Sequence, residues 1–161
     1  MPTSTYDLIA SNVLGSSAAS VTFSSISGSY RDLVIVITGG VTSRTGQYMT
    51  LNSDTTDANY SWVRATGTGA ATQSGSSTAD RSISEIIENA ANNLVIIQIM
   101  DYSATNKHKS SLIRSNNASP NGVEMRALRW ASTNAITSIN LEAVGTTWLS
   151  GTSFHLYGIV S

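Results

Sequence analysis

Alternation of apolar and polar residues along two segments near the end of the chain is the feature that most constrains its fold. Ile139 and Leu141 fall on one face of the first segment, and Phe154 and Leu156 fall on one face of the second. A period of two residues is typical of a β-strand with one face buried against a core. We therefore expect these segments to pair as a closing β-hairpin, the last two strands of a sandwich.

Short apolar segments separated by turn residues continue through the rest of the chain, and no linker-like change in composition divides it. A length of 161 residues suits one domain with its own core. We predict an all-β protein, a two-sheet antiparallel sandwich of jelly-roll type, as a single domain over 1–161 with a short N-terminal arm at 1–5. The predicted strands are 6–13, 19–24, 32–38, 48–51, 60–65, 94–100, 109–114, 124–130, 137–143 and 153–159.

Two segments lack a clear strand pattern. Residues 67–77 are rich in Gly, Ser and Thr and hold no large apolar side chain, which predicts a flexible exposed loop. Over 82–91, isoleucines stand at helical spacing and Ser82 could form a capping box with Glu85. That segment is compatible with a short helical turn and equally with a loop.

Two predicted strands, at 33–37 and 94–100, are apolar on both faces. The outer face of a sandwich sheet normally meets water, so something should cover the second face. Either the protein's own loops cover it, or a neighbouring subunit does, since exposed apolar patches mark interfaces. The second alternative makes Val34 and Val36, whose parity opposes that of the core residues, candidate interface residues. It also predicts a homo-oligomer, for which we expect a trimer.

Aromatic residues give further candidates for an interface. Tyr60, Trp62 and Arg64 share one face of a predicted strand, a combination that can stack on sugar rings, anchor a protein interface or simply fill the core. Trp148 lies in a Gly- and Thr-rich connection, where its ring either closes one end of the sandwich or is exposed for a partner. We include these four residues in the candidate interface for the oligomer or shell.

Residue types that carry catalysis or bind metal lack the spacing of a known motif. The chain has no cysteine, and its two histidines, His108 and His155, have no second ligand at a zinc spacing. The loop 52–59 lacks the far glutamate and central glycine of a calcium-binding EF-hand, so its side chains predict Asx turns. No carboxylate pair stands out for glycoside hydrolysis, and no Gly-x-Ser-x-Gly elbow is present. We predict no enzyme activity, no metal and no cofactor.

Charge and hydropathy argue against two classes of partner. The net charge is −1, and lysine occurs only at Lys107 and Lys109, so the chain lacks the positive field that nucleic-acid binding draws on. No apolar run approaches a membrane-spanning length, and the N-terminus has no signal-peptide pattern. We therefore expect no nucleic-acid partner, no membrane partner, and synthesis in a cytoplasm.

Short motifs spread over most of the chain carry a family resemblance. The motifs are Tyr6-Asp7-Leu8-Ile9, Val13-Leu14-Gly15-Ser16, Ser20-Val21-Thr22-Phe23-Ser24-Ser25-Ile26, Tyr30-Arg31-Asp32-Leu33-Val34-Ile35, Leu51-Asn52-Ser53-Asp54, Asn59-Tyr60-Ser61-Trp62, Asp101-Tyr102, Lys109-Ser110 and the closing Gly151-Thr152-Ser153-Phe154-His155-Leu156-Tyr157-Gly158-Ile159. Together they resemble a β-sandwich domain that recurs in virion proteins of tailed bacteriophages. The resemblance implies a structural protein of the phage particle, made in the cytoplasm of the bacterial host.

Two virion roles fit this resemblance. A capsid cement or decoration protein stabilises the shell by binding the assembled state, with the major capsid protein and further copies of itself as partners. A tail-fibre or receptor-binding module would instead contact host glycan through exposed aromatic rings. We favour cement because the predicted strands run from 6 to 159 and leave no room for a fibre shaft. A polysaccharide-degrading enzyme is a remote alternative, which would need two carboxylates that converge in a groove.

Overall fold

The computed structural model describes residues 4–90, 92–117 and 122–160, and these residues form twelve strands and one 3-10 turn at Asp57–Asn59. The fold is all-β, as predicted, with two antiparallel sheets packed as a sandwich of jelly-roll type. The strands are β1 (Tyr6–Val13), β2 (Ser20–Phe23), β3 (Asp32–Gly39), β4 (Gln47–Leu51), β5 (Tyr60–Gly67), β6 (Thr72–Ser77), β7 (Ser82–Ser84), β8 (Asn93–Met100), β9 (Lys109–Asn116), β10 (Val123–Trp130), β11 (Ile139–Ala143) and β12 (Ser153–Ile159).

The two sheets differ in size. The larger sheet has eight strands in the order β1-β12-β3-β8-β9-β10-β5-β6, and the smaller has four in the order β2-β11-β4-β7. All neighbouring strands are antiparallel. The ten predicted strands are all present, and each predicted bound lies within two residues of the observed one.

The core lies between the sheets and is built from the inward-facing positions of each strand. Leu33 and Ile35 on β3 are fully buried, and so are Ile139 and Leu141 on β11 of the opposite sheet. The registers place these side chains on the inner faces of their sheets. On β11, period-two alternation therefore identified the buried face correctly, because successive side chains of a strand point to opposite sides.

The predicted closing hairpin is wrong. β11 pairs with β2 and β4 in the small sheet, whereas β12 pairs with β1 and β3 in the large one. The connection between them crosses from one sheet to the other, and Trp148 in this connection makes bridges to both Ala18 and Val41. Alternation specifies which face of a strand is buried, but two strands that face the same core from opposite sheets have the same pattern.

The segment 67–77 is not a flexible loop throughout, because β6 occupies its second half and pairs with β5 at the edge of the large sheet. Its side chains are mostly exposed, as predicted, but an edge strand is held by backbone hydrogen bonds that need no apolar side chain. In the ambiguous segment 82–91, the described residues form the short strand β7 and a loop, with no helical turn.

Two further sequence predictions concern the N-terminus and the membrane. Of the predicted arm at 1–5, residues 1–3 lie outside the described residues, and Ser4 and Thr5 are exposed. Within the described ranges, no helix has the length and apolar character needed to cross a bilayer.

Candidate functional site

The outer face of the eight-stranded sheet is unusually apolar. The strand registers turn one set of side chains away from the core, where water normally selects polar residues. Large side chains of this set that remain exposed are Tyr6, Leu8 and Val13 on β1, Leu94 and Met100 on β8, Leu112 on β9, Val123 and Met125 on β10, and Val63 on β5. Apolar surface spread over five strands is typical of an interaction surface.

The extent of this outer face matches a protein interface. Eight strands spaced at about 4.8 Å, with about eight residues each at about 3.3 Å rise, give a face near 38 Å by 26 Å, or about 1,000 Å². A standard protein interface buries about 800 Å² on each partner. A single partner docked on the outer face would therefore bury enough surface for stable association.

Three shallow hollows indent the outer face. The largest has a volume of about 530 Å³ and is lined by Leu94, Ile96, Val123, Met125 and Arg114 among others. The second has a volume of about 310 Å³, shares Ile96 and Arg114 with the first, and continues to Val34, Val36 and Tyr157. The third, of about 320 Å³, contains Val63, Ala127 and Arg129.

The predicted interface residues Val34 and Val36 lie on this outer face, on β3. Val36 is partly exposed, whereas Val34 is 6% exposed. On the neighbouring strand β8, Leu94 is 37% and Met100 is 58% exposed, so the described loops do not cover that part of the sheet. Of the two explanations for doubly apolar strands, cover by the protein's own loops does not apply to β8.

The aromatic candidates for an interface are instead part of the core. Tyr60 and Trp148 are almost fully buried, and Trp62 is 8% exposed. The Tyr60 hydroxyl accepts a hydrogen bond from the Leu51 amide at 3.0 Å and donates to the Asp54 carbonyl at 2.9 Å, and burial raises the pKa of Tyr60 to about 12. Prediction of these three rings as interface residues is therefore wrong for this chain, and the core alternative is correct.

The ring of Trp148 is buried where the chain passes from the small sheet to the large one. It packs edge-on against Phe154 with ring centroids 5.1 Å apart, and its indole nitrogen donates to the Leu141 carbonyl at 3.3 Å. A buried indole N–H that finds an acceptor is the usual requirement for tryptophan in a core.

A cluster of charged residues, two of them buried and two partly exposed, lies behind the outer face, between β10 and the loop after β7. Arg126 is fully buried, with its guanidinium 3.1 Å from a Glu124 carboxylate oxygen and 3.5 Å from a Glu85 carboxylate oxygen. Arg126 also donates to the Ser82 carbonyl at 2.8 Å and lies 4.1 Å from the ring centroid of Trp62. We call Arg64, Glu85, Glu124 and Arg126 the charge cluster.

The predicted interface residue Arg64 belongs to the charge cluster. Its guanidinium forms a short ion pair with Glu85 and lies 3.7 Å from a Glu124 carboxylate oxygen. Burial raises the pKa of Glu124, although Arg126 and Arg64 oppose that effect. Each carboxylate therefore faces two guanidinium groups.

No carboxylate pair was predicted from spacing, yet the fold brings Glu85 and Glu124 together around Arg126. A signal for part of this arrangement is present in the sequence. On β10, Glu124 and Arg126 occupy the same inward parity as Leu128 and Trp130, and charged residues at core positions are almost always paired. Glu85 could not be found in this way, because it lies in a loop without periodicity.

The cavity beside the charge cluster has a volume of only about 130 Å³, below the roughly 300 Å³ at which ligand pockets begin. It is lined by Arg44, Arg64, Glu85 and Glu124 among others. Carboxylates held in ion pairs next to so small a space favour a structural role over general acid catalysis.

The loop 52–59, which we call the acidic loop, forms the Asx turn that its sequence predicts. A carboxylate oxygen of Asp54 accepts from the Thr56 amide at 3.0 Å, and the other accepts from the Trp130 indole and the Asn59 amide group, each at 2.8 Å. Burial acts to raise the pKa of Asp54, but the hydrogen bonds outweigh it and hold the pKa below its ordinary value of 3.8. Across the described ranges, no three acidic, histidine or cysteine side chains are placed to hold a metal ion.

His155 faces outward on β12, where its Nδ1 lies 3.0 Å from the Ser11 hydroxyl of β1.

Comparison with known proteins yields distant structural likeness. No protein-family model matches the chain, and no curated protein matches its sequence significantly. Among solved structures, domains LG4-5 of the mouse laminin alpha1 chain are similar with 12% identity and a TM-score of 0.36, over 91% of this chain and 41% of that chain. A mutant of the alginate lyase Aly36B in complex with an alginate tetrasaccharide is similar with 10% identity and a TM-score of 0.32, over 94% of this chain and 79% of that chain. This chain thus spans less than half the length of the laminin chain.

Proposed function

We propose that this chain is a structural protein of the bacteriophage virion, a capsid cement or decoration protein without enzymatic activity. The observation that supports assembly is the exposed apolar face of the eight-stranded sheet, which suits burial against another protein. The virion setting rests on the resemblance of the sequence motifs to phage virion domains. Binding that exists only on the assembled shell stabilises that shell by mass action.

The proposal implies two protein partners and one location. The partners are the major capsid protein and further copies of this chain, arranged as a homotrimer, with no nucleic acid or membrane involved. The protein is made in the cytoplasm of the bacterial host and resides in the released particle. Many copies on one particle make individually weak contacts sufficient through avidity.

The receptor-binding alternative loses its proposed glycan platform, because Tyr60, Trp62 and Trp148 are buried. The enzyme alternative needs a free acid and base, and the carboxylates that the fold brings together, Glu85 and Glu124, are both engaged by arginines. Neither alternative has an observation in its favour that matches the apolar face.

Particles made with and without the protein test the proposal. We expect decorated particles to survive heat or osmotic shock better than undecorated ones and to adsorb to host cells at the same rate. Quantitative gel densitometry should find hundreds of copies per particle. If deletion abolishes adsorption and leaves shell stability unchanged, or if only a few copies are present, the protein belongs to the tail and the cement proposal is wrong.

A further inference from the structure

The charges on the outer face of the eight-stranded sheet identify the kind of surface that covers it. Five arginines of the described chain pair with carboxylates, namely Arg31, Arg44, Arg64, Arg81 and Arg126. The remaining two, Arg114 and Arg129, have no ion pair among the described residues, and both are exposed on the outer face. Both arginines that form no ion pair within the described part of the chain therefore lie on the apolar surface.

The position of Arg114 indicates how a complementary partner surface would be arranged. Arg114 lies on β9 near the middle of the sheet, directly opposite Ile96 of β8 in the strand register. It lines both the largest hollow and the second hollow, so it separates two apolar depressions. Its hydrogen-bond partner on the face is the neutral Gln98, whose side-chain oxygen accepts at 3.3 Å. A complementary surface would place a carboxylate between two apolar side chains.

A second copy of this face does not supply that carboxylate. On the outer face, the acidic residue in the described strands is Asp32, the first residue of β3, where it accepts a hydrogen bond from the Asp101 amide at 2.8 Å and lies 3.7 Å from Arg31. In a two-fold dimer through the centre of the sheet, Arg114 of each copy would lie near the axis, and like charges would be brought together.

We infer that the outer face of the eight-stranded sheet docks a different protein, whose surface is apolar and carries a carboxylate opposite Arg114. This inference rests on the proposed function, in which the different protein is the capsid shell. Self-association of this chain then uses other surfaces. A bidentate arginine–carboxylate contact inside an apolar interface provides orientation, and the flanking hollows provide buried apolar area.

The experiment measures how tightly the purified protein rebinds to phage particles that lack it because its coding sequence has been deleted. Arg114→Glu reverses the charge, and Met125→Glu places a charge in the largest hollow, at a side chain that is 52% exposed. We expect each to weaken binding at least about tenfold. Arg114→Lys should bind better than Arg114→Glu, because it keeps the positive charge.

Matched controls carry similar charge changes away from the outer face. Lys107→Glu alters an exposed cation in the turn between β8 and β9, and Thr22→Glu alters the exposed face of the small sheet. Both should bind like the wild type. Light scattering should give the same mass for every variant, and circular dichroism should show that each is folded.

Each outcome separates the inference from the proposed function. If the wild type rebinds and Arg114→Glu and Met125→Glu rebind equally well, the inference is wrong and the cement proposal stands. If these substitutions lower the mass in solution, the face joins copies of this chain and the inference is also wrong. If the wild type does not rebind to particles at all, the cement proposal fails and the inference falls with it.

Discussion

At the scale of single residues, burial decides which polar groups contribute most to the stability of the fold. Arg126 and Glu124 sit at core positions of β10, so each would be costly to bury without the other. Asp54 is closer to the surface, and its carboxylate joins the turn at 54–59 to the indole of Trp130. Both sites are ordered by charge or by charge-assisted hydrogen bonds rather than by apolar packing.

The substitution Arg126→Met should destabilise the protein by about 3–5 kcal/mol, because it leaves the Glu124 carboxylate buried without its nearest cation. The double substitution Glu124→Leu with Arg126→Met removes both charges and should recover most of the loss. Urea unfolding of the three proteins measures these free energies. A double variant that is no more stable than Arg126→Met would show that the two residues are not coupled.

The hydrogen bonds to Asp54 should make stability depend on pH in acid. The pKa of Asp54 is lowered in the folded protein, so its contribution is present above the ordinary value of 3.8 and is lost as the pH falls through the folded pKa. Asp54→Asn should therefore lower the melting temperature above pH 4 and differ little from the wild type near pH 2. Melting curves from pH 2 to 7 test this, and a constant difference across the range would contradict it.

At the scale of elements, the strands differ in how they are held. β3 and β8 lie inside the large sheet with partners on both sides and apolar inner faces. β6 is an edge strand with the composition of a linker, and its one partner is β5. An edge strand without charge, proline or apolar anchors is held by its backbone ladder alone.

Amide hydrogen exchange should separate these elements. We expect β3 and β8 to exchange slowest, and β6 to exchange faster than they do but slower than the turn residues Gly69 and Ala70, because pairing with β5 protects about half of its amides. Mass spectrometry of the exchanged peptides measures the order of the exchange rates. Exchange of β6 at the rate of an unstructured peptide would restore the loop prediction for 67–77.

At the scale of the whole molecule, the two outer faces of the sandwich are different. The small sheet presents Thr22, Asn140 and Glu142, which suit contact with water. The large sheet presents apolar side chains and two arginines, Arg114 and Arg129, that form no ion pair with any described residue. This asymmetry supports our proposal that the large sheet docks a partner protein while the small sheet stays in contact with solvent.

The stability of this sandwich should not depend on a metal ion. The oxygen atoms of Asp54 are occupied by hydrogen bonds from Thr56, Asn59 and Trp130, so the acidic loop is folded by its own donors. We expect the same melting temperature with EDTA and with added calcium. A drop with EDTA that calcium reverses, and that Asp54→Ala abolishes, would reveal a metal site in this loop.

The candidate site was only partly predictable from the sequence. Val34 and Val36 were placed on an outer apolar face from their parity alone, and the structure places them there. The rest of that face comes from strands that are far apart in the chain, so its extent depends on the strand order. The parity of Tyr60 and Trp62 was also correct, but parity does not distinguish a core from an exposed surface.

The sequence by itself determined the all-β class, ten of the strands and the buried face of clearly alternating ones such as β11 and β12, because period-two alternation is a local property of a strand. Tertiary structure decided which strands pair, and it separated β11 from β12 into different sheets. It also added the edge strand β6, buried Trp148 and brought Glu85 to Arg126 across 41 positions of the chain. These features depend on contacts between distant segments, whose free energies appear only when the whole chain has folded.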